Sequence, residues 1–137
     1  MYMGVIIKRG IVFGTFDGLH EGHKFFLDEV TRQCDELFVV VTTSEIVERL
    51  KGRVPFFNYD ERVRKLMAFN PKLHVIPSDA DMGTWKILRH IKPDAIFLGY
   101  DQEAIARELE KQHRSFQYIK AYQPEKFKSS LLKRKTS

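Results

Sequence analysis

Apolar positions along the chain fall in short blocks whose period changes from block to block. Ile11-Val12-Phe13 is a continuous β-branched and aromatic run, which reads as a buried strand. From Lys24 to Cys34 the apolar positions are Phe26, Leu27, Val30 and Cys34, the spacing of one helix face. Leu37 to Thr42 reads as a second, fully buried strand, and Thr43 or Ser44 can cap a short helix through Leu50. Lys51 to Asn58, with Gly52 and Pro55, reads as a loop. The pattern then predicts a helix over Asp60 to Phe69, with Val63, Leu66 and Met67 inward, and a strand over Leu73 to Ile76. A helix follows over Thr84 to Ile91, then a strand over Ala95 to Leu98 ended by Gly99. A polar helix over Gln102 to His113, a strand over Gln117 to Ala121 and a short helix at Leu131-Leu132, capped by Ser129 or Ser130, complete the series.

Strands alternating with helices predict an α/β fold with a parallel sheet, doubly wound so that helices cover both faces. In such sheets ligands sit beyond the carboxyl ends of the strands, where strand order reverses. The Gly14 turn, the Thr42-Thr43 end and the Gly99-Tyr100-Asp101 end all fall on that edge.

The length, 137 residues, suits a single domain, with a core over about 9–125 and a basic segment at 126–137. At 43% apolar residues the chain is globular rather than disordered. No apolar run approaches the ~20 residues of a membrane span, and Met1 to Gly10 carries no secretory pattern. Cys34 is the only cysteine, so no internal disulfide forms and a reducing cytoplasm is expected; on its helix face the thiol is expected to be buried rather than reactive. The net charge of +5 is carried wholly by Lys126, Lys128, Lys133, Arg134 and Lys135, because the first 125 residues hold 18 basic and 18 acidic groups. That is a basic tail, not the basic face of a nucleic-acid binder.

Candidate chemistry concentrates in Gly14-Thr15-Phe16-Asp17-Gly18-Leu19-His20-Glu21-Gly22-His23, between the first strand and the first helix. Glycine lets backbone approach a ligand closely, and a helix start offers unpaired N–H groups and the positive end of a dipole. Both suit phosphate. His20 and His23, three apart, can donate to phosphate oxygens, and Thr15 can add a hydroxyl.

The string Gly14-Thr15-Phe16-Asp17 followed by His20-Glu21-Gly22-His23 resembles the signature of the cytidylyltransferase-like nucleotidyltransferases, G-T-F-D-x-x-H-x-G-H. The resemblance runs from Gly14 to Ser130. It implies a Rossmann-like domain with a five-stranded parallel sheet in the order 3-2-1-4-5. It also implies that His20 and His23 bind the phosphates of a nucleoside triphosphate and stabilise the transition state, without acting as metal ligands or bases. Glu21, between them, is not assigned as a base. Gly14, Thr15 and Phe16 belong to the same nucleotide site, and Asp17 to the acceptor site.

Other groups can complete that site. Lys51, Arg53 and Arg62 can grip the phosphate of an acceptor or can be solvated; relatives carry basic residues here, which favours the first. Gly99-Tyr100-Asp101-Gln102 ends a buried strand at the ligand edge. There Asp101 can accept from a ribose or base, or cap a helix, and Gln102 can read a base. The string Leu98 to Gln102 resembles the corresponding block of archaeal-type FAD synthases and, less fully, of glycerol-3-phosphate cytidylyltransferases. Lys126, Lys128, Ser129 and Ser130 form a last cluster, suited to the β- and γ-phosphates. Relatives often precede this block with R-T-x-G, and the arginine and glycine are lacking here, so Lys126 or Lys128 takes their place, with Lys128 set beside His20 and His23 in the catalytic group. Asp79, Asp81, Met82 and Trp85 lie near the expected acceptor, where Trp85 and Met82 can stack on a flat ring; a core role for Trp85 is the stronger reading. His74, His90 and His113 are isolated and read as structural or exposed.

The reaction expected is transfer of a nucleoside monophosphate from a triphosphate to a phosphate-bearing acceptor, releasing pyrophosphate. The leading pair is ATP and FMN, giving FAD. Phosphopantetheine with ATP, glycerol 3-phosphate with CTP, and a nucleotide-binding module without turnover are the alternatives. Mg²⁺ is expected to bridge phosphates with no protein ligand. No nucleic-acid or membrane partner is expected. Relatives often form homodimers, and no stretch of this chain demands one.

Overall fold

The structure is a computed structural model and describes residues 7–79 and 85–119. Its elements are β1 (Ile7–Gly14), α1 (Glu21–Thr31), β2 (Cys34–Val41), α2 (Ser44–Lys51), α3 (Tyr59–Phe69), β3 (His74–Pro77), α4 (Lys86–Ile91), β4 (Ala95–Leu98), α5 (Glu103–Lys111) and β5 (Gln117–Tyr118). They build a five-stranded sheet in the order β3-β2-β1-β4-β5, the order that the resemblance implies. Every pairing is parallel.

The apolar strands are continuous because both of their faces are covered. Along β1, Val12 joins a core with Leu27, Val30 and Leu66 from α1 and α3. Its neighbours Ile11 and Phe13 point the other way, into a core with Leu88, Ala106 and Leu109 from α4 and α5. In β4, Phe97 belongs to the first core, and Ile96 and Leu98 to the second. β1 therefore sits at the centre with β2 on one side and β4 on the other, and the strand order reverses between them. The crevice for a ligand lies at the carboxyl ends of these two strands.

Some boundaries differ from the expectation, each for a local reason. α1 begins at Glu21, not Lys24, because His20 caps it. Cys34 opens β2 instead of closing the helix; it is half-buried, and its thiol donates to the Val30 carbonyl at 3.4 Å. Burial raises the thiol's pKa, so it is held as the weakly reactive S–H. α3 gains a capping box in which Asn58 accepts from Glu61 N, and Glu61 accepts from Asn58 N. The short helix expected at Leu131-Leu132 lies outside the described residues. Among the described residues no helix is long and apolar enough to cross a membrane.

Candidate active site

A cleft of about 1010 Å³ opens at the carboxyl edge of β1 and β4. It is lined by the Gly14–Asp17 turn, the start of α1, the end of α2 with Arg53, and the Gly99–Gln102 turn. This is at the top of the ~300–1,000 Å³ range of small-molecule sites, which suits a nucleotide and an acceptor side by side.

His20 and His23 both line it, with their rings stacked at 3.7 Å between centroids and 17° between planes. The stack is made by the helix start itself. His20 Nδ1 accepts from Gly22 N at 3.1 Å and from His23 N at 3.3 Å, and His23 Nδ1 accepts from His20 N at 3.4 Å. The two imidazoles therefore form a reciprocal capping box at the i, i+3 spacing that Ser and Glu more often use. A neutral ring that accepts at Nδ1 carries its proton on Nε2. Burial lowers the His23 pKa to about 4, His20 adding to this and Asp101 opposing it. At neutral pH His23 is thus an uncharged Nε2–H donor on the cleft wall. Sequence reasoning missed the capping role, although the spacing of the two histidines was its signal. It also expected unpaired N–H groups at this helix start, whereas the Gly22 and His23 amides donate to His20.

The glycines make room for the site's own rings rather than for a ligand. A Cβ on Gly14 would stand 2.7 Å from the Phe16 ring, and one on Gly22 would stand 3.0 Å from the His20 ring. Phe16 has φ 52°, a left-handed conformation that costs of order 1–3 kcal/mol for such a residue. Its ring is buried in the first core and meets His23 edge-on at 5.2 Å, which fixes the imidazole from below. Phe16 supports the cleft wall through His23.

Three polar residues have roles other than those expected. Arg62 was expected to grip an acceptor phosphate, yet it is fully buried. Its guanidinium donates to the carbonyls of Thr15 (2.9 Å), Thr42 (2.7 Å) and Phe57 (3.1 Å) and to Ser44 Oγ (3.2 Å). Four acceptors take four of its five N–H groups, which leaves no pair of donors to hold a phosphate bidentately. Asp17 was expected to touch the acceptor, yet its carboxylate accepts from Phe56 N at 2.7 Å and Phe57 N at 2.8 Å. Burial raises its pKa, but the bonds from Phe57 and Phe56 and the charges of Arg62 and Arg53 outweigh burial and leave the carboxyl below its ordinary value. Gln102 was expected to read a base, yet its amide donates to the Phe13 carbonyl at 2.7 Å and accepts from Gly99 N at 2.8 Å. It fastens the end of β1 to the end of β4. The Asp101 cap is not seen either, because the residue before α5 is Gln102.

The other candidates divide plainly. Thr15, Gly99, Asp101, Lys51 and Arg53 line the cleft, and the last three are exposed. The side chains of Lys51 and Arg53 make no hydrogen bond or ion pair among the described residues, although the Arg53 charge acts on Asp17. Tyr100, placed at the ligand edge by its strand-end block, lines the cleft at 68% exposure, and Leu50, which sequence reasoning passed over, lines it at 65%; no sequence signal separates Leu50 from a core residue. Trp85 packs edge-on against Phe13 at 5.4 Å and belongs to the second core. Asp79 accepts from Ile87 N at 3.3 Å, at the start of α4. His74 stacks on Phe38 and faces Glu36, and His90 and His113 are exposed. Asp81, Met82, Lys126, Lys128, Ser129 and Ser130 lie outside the described residues. Among the described residues no group of three or more His, Cys, Asp or Glu could hold a metal ion.

A family model described as cytidylyltransferase-like matches residues 11–135. Among curated relatives, a FAD synthase of Methanosarcina mazei is 39% identical over 80% of this chain and 70% of its own. A FAD synthase of Thermococcus sibiricus is 33% identical over 91% of this chain and 86% of its own. Among solved structures, a lipopolysaccharide core biosynthesis protein from Thermoplasma volcanium superposes with a TM-score of 0.70 and 31% identity, covering 85% of this chain and 99% of that one.

Proposed function

Because the chain belongs to the cytidylyltransferase-like family of nucleotidyltransferases, we propose that it transfers AMP from ATP to FMN, giving FAD and pyrophosphate. The observation that carries the chemistry is the stacked imidazole pair, with its Nδ1 atoms occupied and its Nε2–H groups left to the cleft. The choice of acceptor is supported by the FAD synthases among the relatives.

In this reading a phosphate oxygen of FMN attacks the α-phosphorus of ATP. The bond from the α-phosphorus to the bridging oxygen breaks, and pyrophosphate leaves with the electron pair. The attacking oxygen is already anionic at neutral pH, so no general base is needed. His20 and His23 donate from Nε2 to phosphate oxygens on which charge builds, and being fixed by the capping box they need no reorganisation. Lys51 and Arg53 hold the acceptor phosphate, and Thr15, Gly99 and Asp101 stand on the nucleotide side. Lys128, Ser129 and Ser130 are assigned to the leaving pyrophosphate. Mg²⁺, if bound with the triphosphate, would supply charge neutralisation there, and no described residue is assigned to hold it.

The test is incubation of the purified protein with ATP, Mg²⁺ and FMN, with FAD and pyrophosphate measured together. Parallel reactions contain phosphopantetheine with ATP and glycerol 3-phosphate with CTP. FAD formed in step with pyrophosphate is expected. Pyrophosphate with another acceptor alone overturns the choice of FMN, and nucleotide binding without turnover in any mixture overturns the enzyme reading. His20→Ala and His23→Ala are each expected to lower turnover by ~10²-fold or more.

A further inference from the structure

The segment 52–57 carries Arg53 to the cleft and is itself strongly exposed, with Val54 at 60% and Phe56 at 84%. Within it Pro55 is buried and Phe57 half-buried, and the other residues are exposed. Its backbone is also tied by hydrogen bonds from two sides. Asp17, in the turn between β1 and α1, takes the N–H groups of Phe56 and Phe57 on its two carboxylate oxygens, at 2.7 and 2.8 Å. From the far side, Arg62 donates to the Phe57 carbonyl and also to the Thr15 carbonyl in the same turn. The turn that leads to the imidazoles and the loop that presents Arg53 are thus one hydrogen-bonded unit.

We propose that Asp17 is the positioning residue of the acceptor side: it sets where Arg53, on the loop that follows α2, stands relative to His20 and His23, and it does so through the loop backbone without touching substrate. The inference rests on the reading of Lys51 and Arg53 as the acceptor clamp. The carboxylate suits this work because two adjacent N–H donors need two acceptor oxygens held in one plane. An amide supplies only one, and turns an NH₂ group toward the second donor.

The test compares Asp17→Asn and Phe56→Pro with the native protein. The first removes one acceptor oxygen, and the second removes one of the two donors while leaving the carboxylate in place. Amide hydrogen exchange at Phe57 is measured in both variants and at Phe56 in the first, together with KM for acceptor and for ATP. The expected result is faster exchange at these amides and a rise in acceptor KM of roughly tenfold or more, because displacement by about an ångström is costly in such sites. KM for ATP is expected to stay within twofold. Unchanged exchange in Asp17→Asn overturns the proposal, since the carboxylate would then act on substrate directly. An equal rise in both KM values overturns it too. If the native protein makes no FAD but uses another phosphorylated acceptor, the choice of FMN fails while the exchange result and the KM split for that acceptor still decide the role of Asp17.

Discussion

Replacing Arg62 distinguishes a structural hub from a phosphate-binding arginine. The side chain is fully buried and joins three separate pieces of the ligand edge: the turn after β1 through Thr15, the end of β2 through Thr42 and Ser44, and the loop before α3 through Phe57. Arg62→Met conserves the apolar stem and deletes every donor. Three carbonyls then lose their buried partner, at ~1–3 kcal/mol each. The low end of that range, about 3 kcal/mol, is the better guide, because methionine restores some apolar burial. In a chain of this size it corresponds to a fall in Tm of roughly 10 °C. Arg62→Lys is expected to fall between, since one ammonium on a flexible stem cannot meet four acceptors set in a fork. Thermal unfolding followed by circular dichroism gives the measurement. A phosphate-gripping arginine on a rim would give the opposite profile, with acceptor KM raised and stability within ~0.5 kcal/mol of the native protein. A Tm for Arg62→Met within about 2 °C of the native value would refute the hub.

Two further expectations follow from the same geometry. The folded His23 pKa of about 4 lies below its ordinary 6.5, so the unfolded chain takes up a proton first on acidification. The stability of the native state is therefore unaffected by this group above pH 6.5 and falls as the pH drops from 6.5 toward 4, by up to ~3 kcal/mol before solvent screening reduces it. Urea midpoints of the native protein and of His23→Gln are expected to converge between pH 7.5 and pH 5, and parallel profiles would contradict the depressed value. For Gln102→Ala, the loss of its bonds to Phe13 and Gly99 is expected to lower Tm by about 5 °C and to leave the preference between ATP and CTP unchanged. A switch of nucleotide preference would restore Gln102 as a reader of the base.

The fold was legible because its determinants are local. A run such as Phe38-Val39-Val40-Val41 has no polar face to give to water, and only a sheet covered on both sides can bury it. Cys34 was misplaced for the same reason, since one apolar residue at a boundary fits the last turn of a helix as well as the first position of a strand. Within the site, legibility followed the distance to the partner. The relation of His20 to His23 is three residues long, and the motif itself displays it. The partners of Asp17 lie 39 and 40 residues away, those of Arg62 up to 47, and the farther of the two for Gln102 at 89. Each of these three carries the donors or acceptors that a ligand would need, and each spends most of them on backbone groups of strand ends or of the loop before α3. A crevice formed where strands end necessarily exposes such groups, so its polar side chains serve both the fold and the ligand. Lys51 closes α2 and Arg53 follows on the loop that Asp17 and Arg62 tie down, and neither side chain makes a hydrogen bond among the described residues. If these two cations take the acceptor phosphate as proposed, the acceptor side owes its shape to residues that do not contact the substrate.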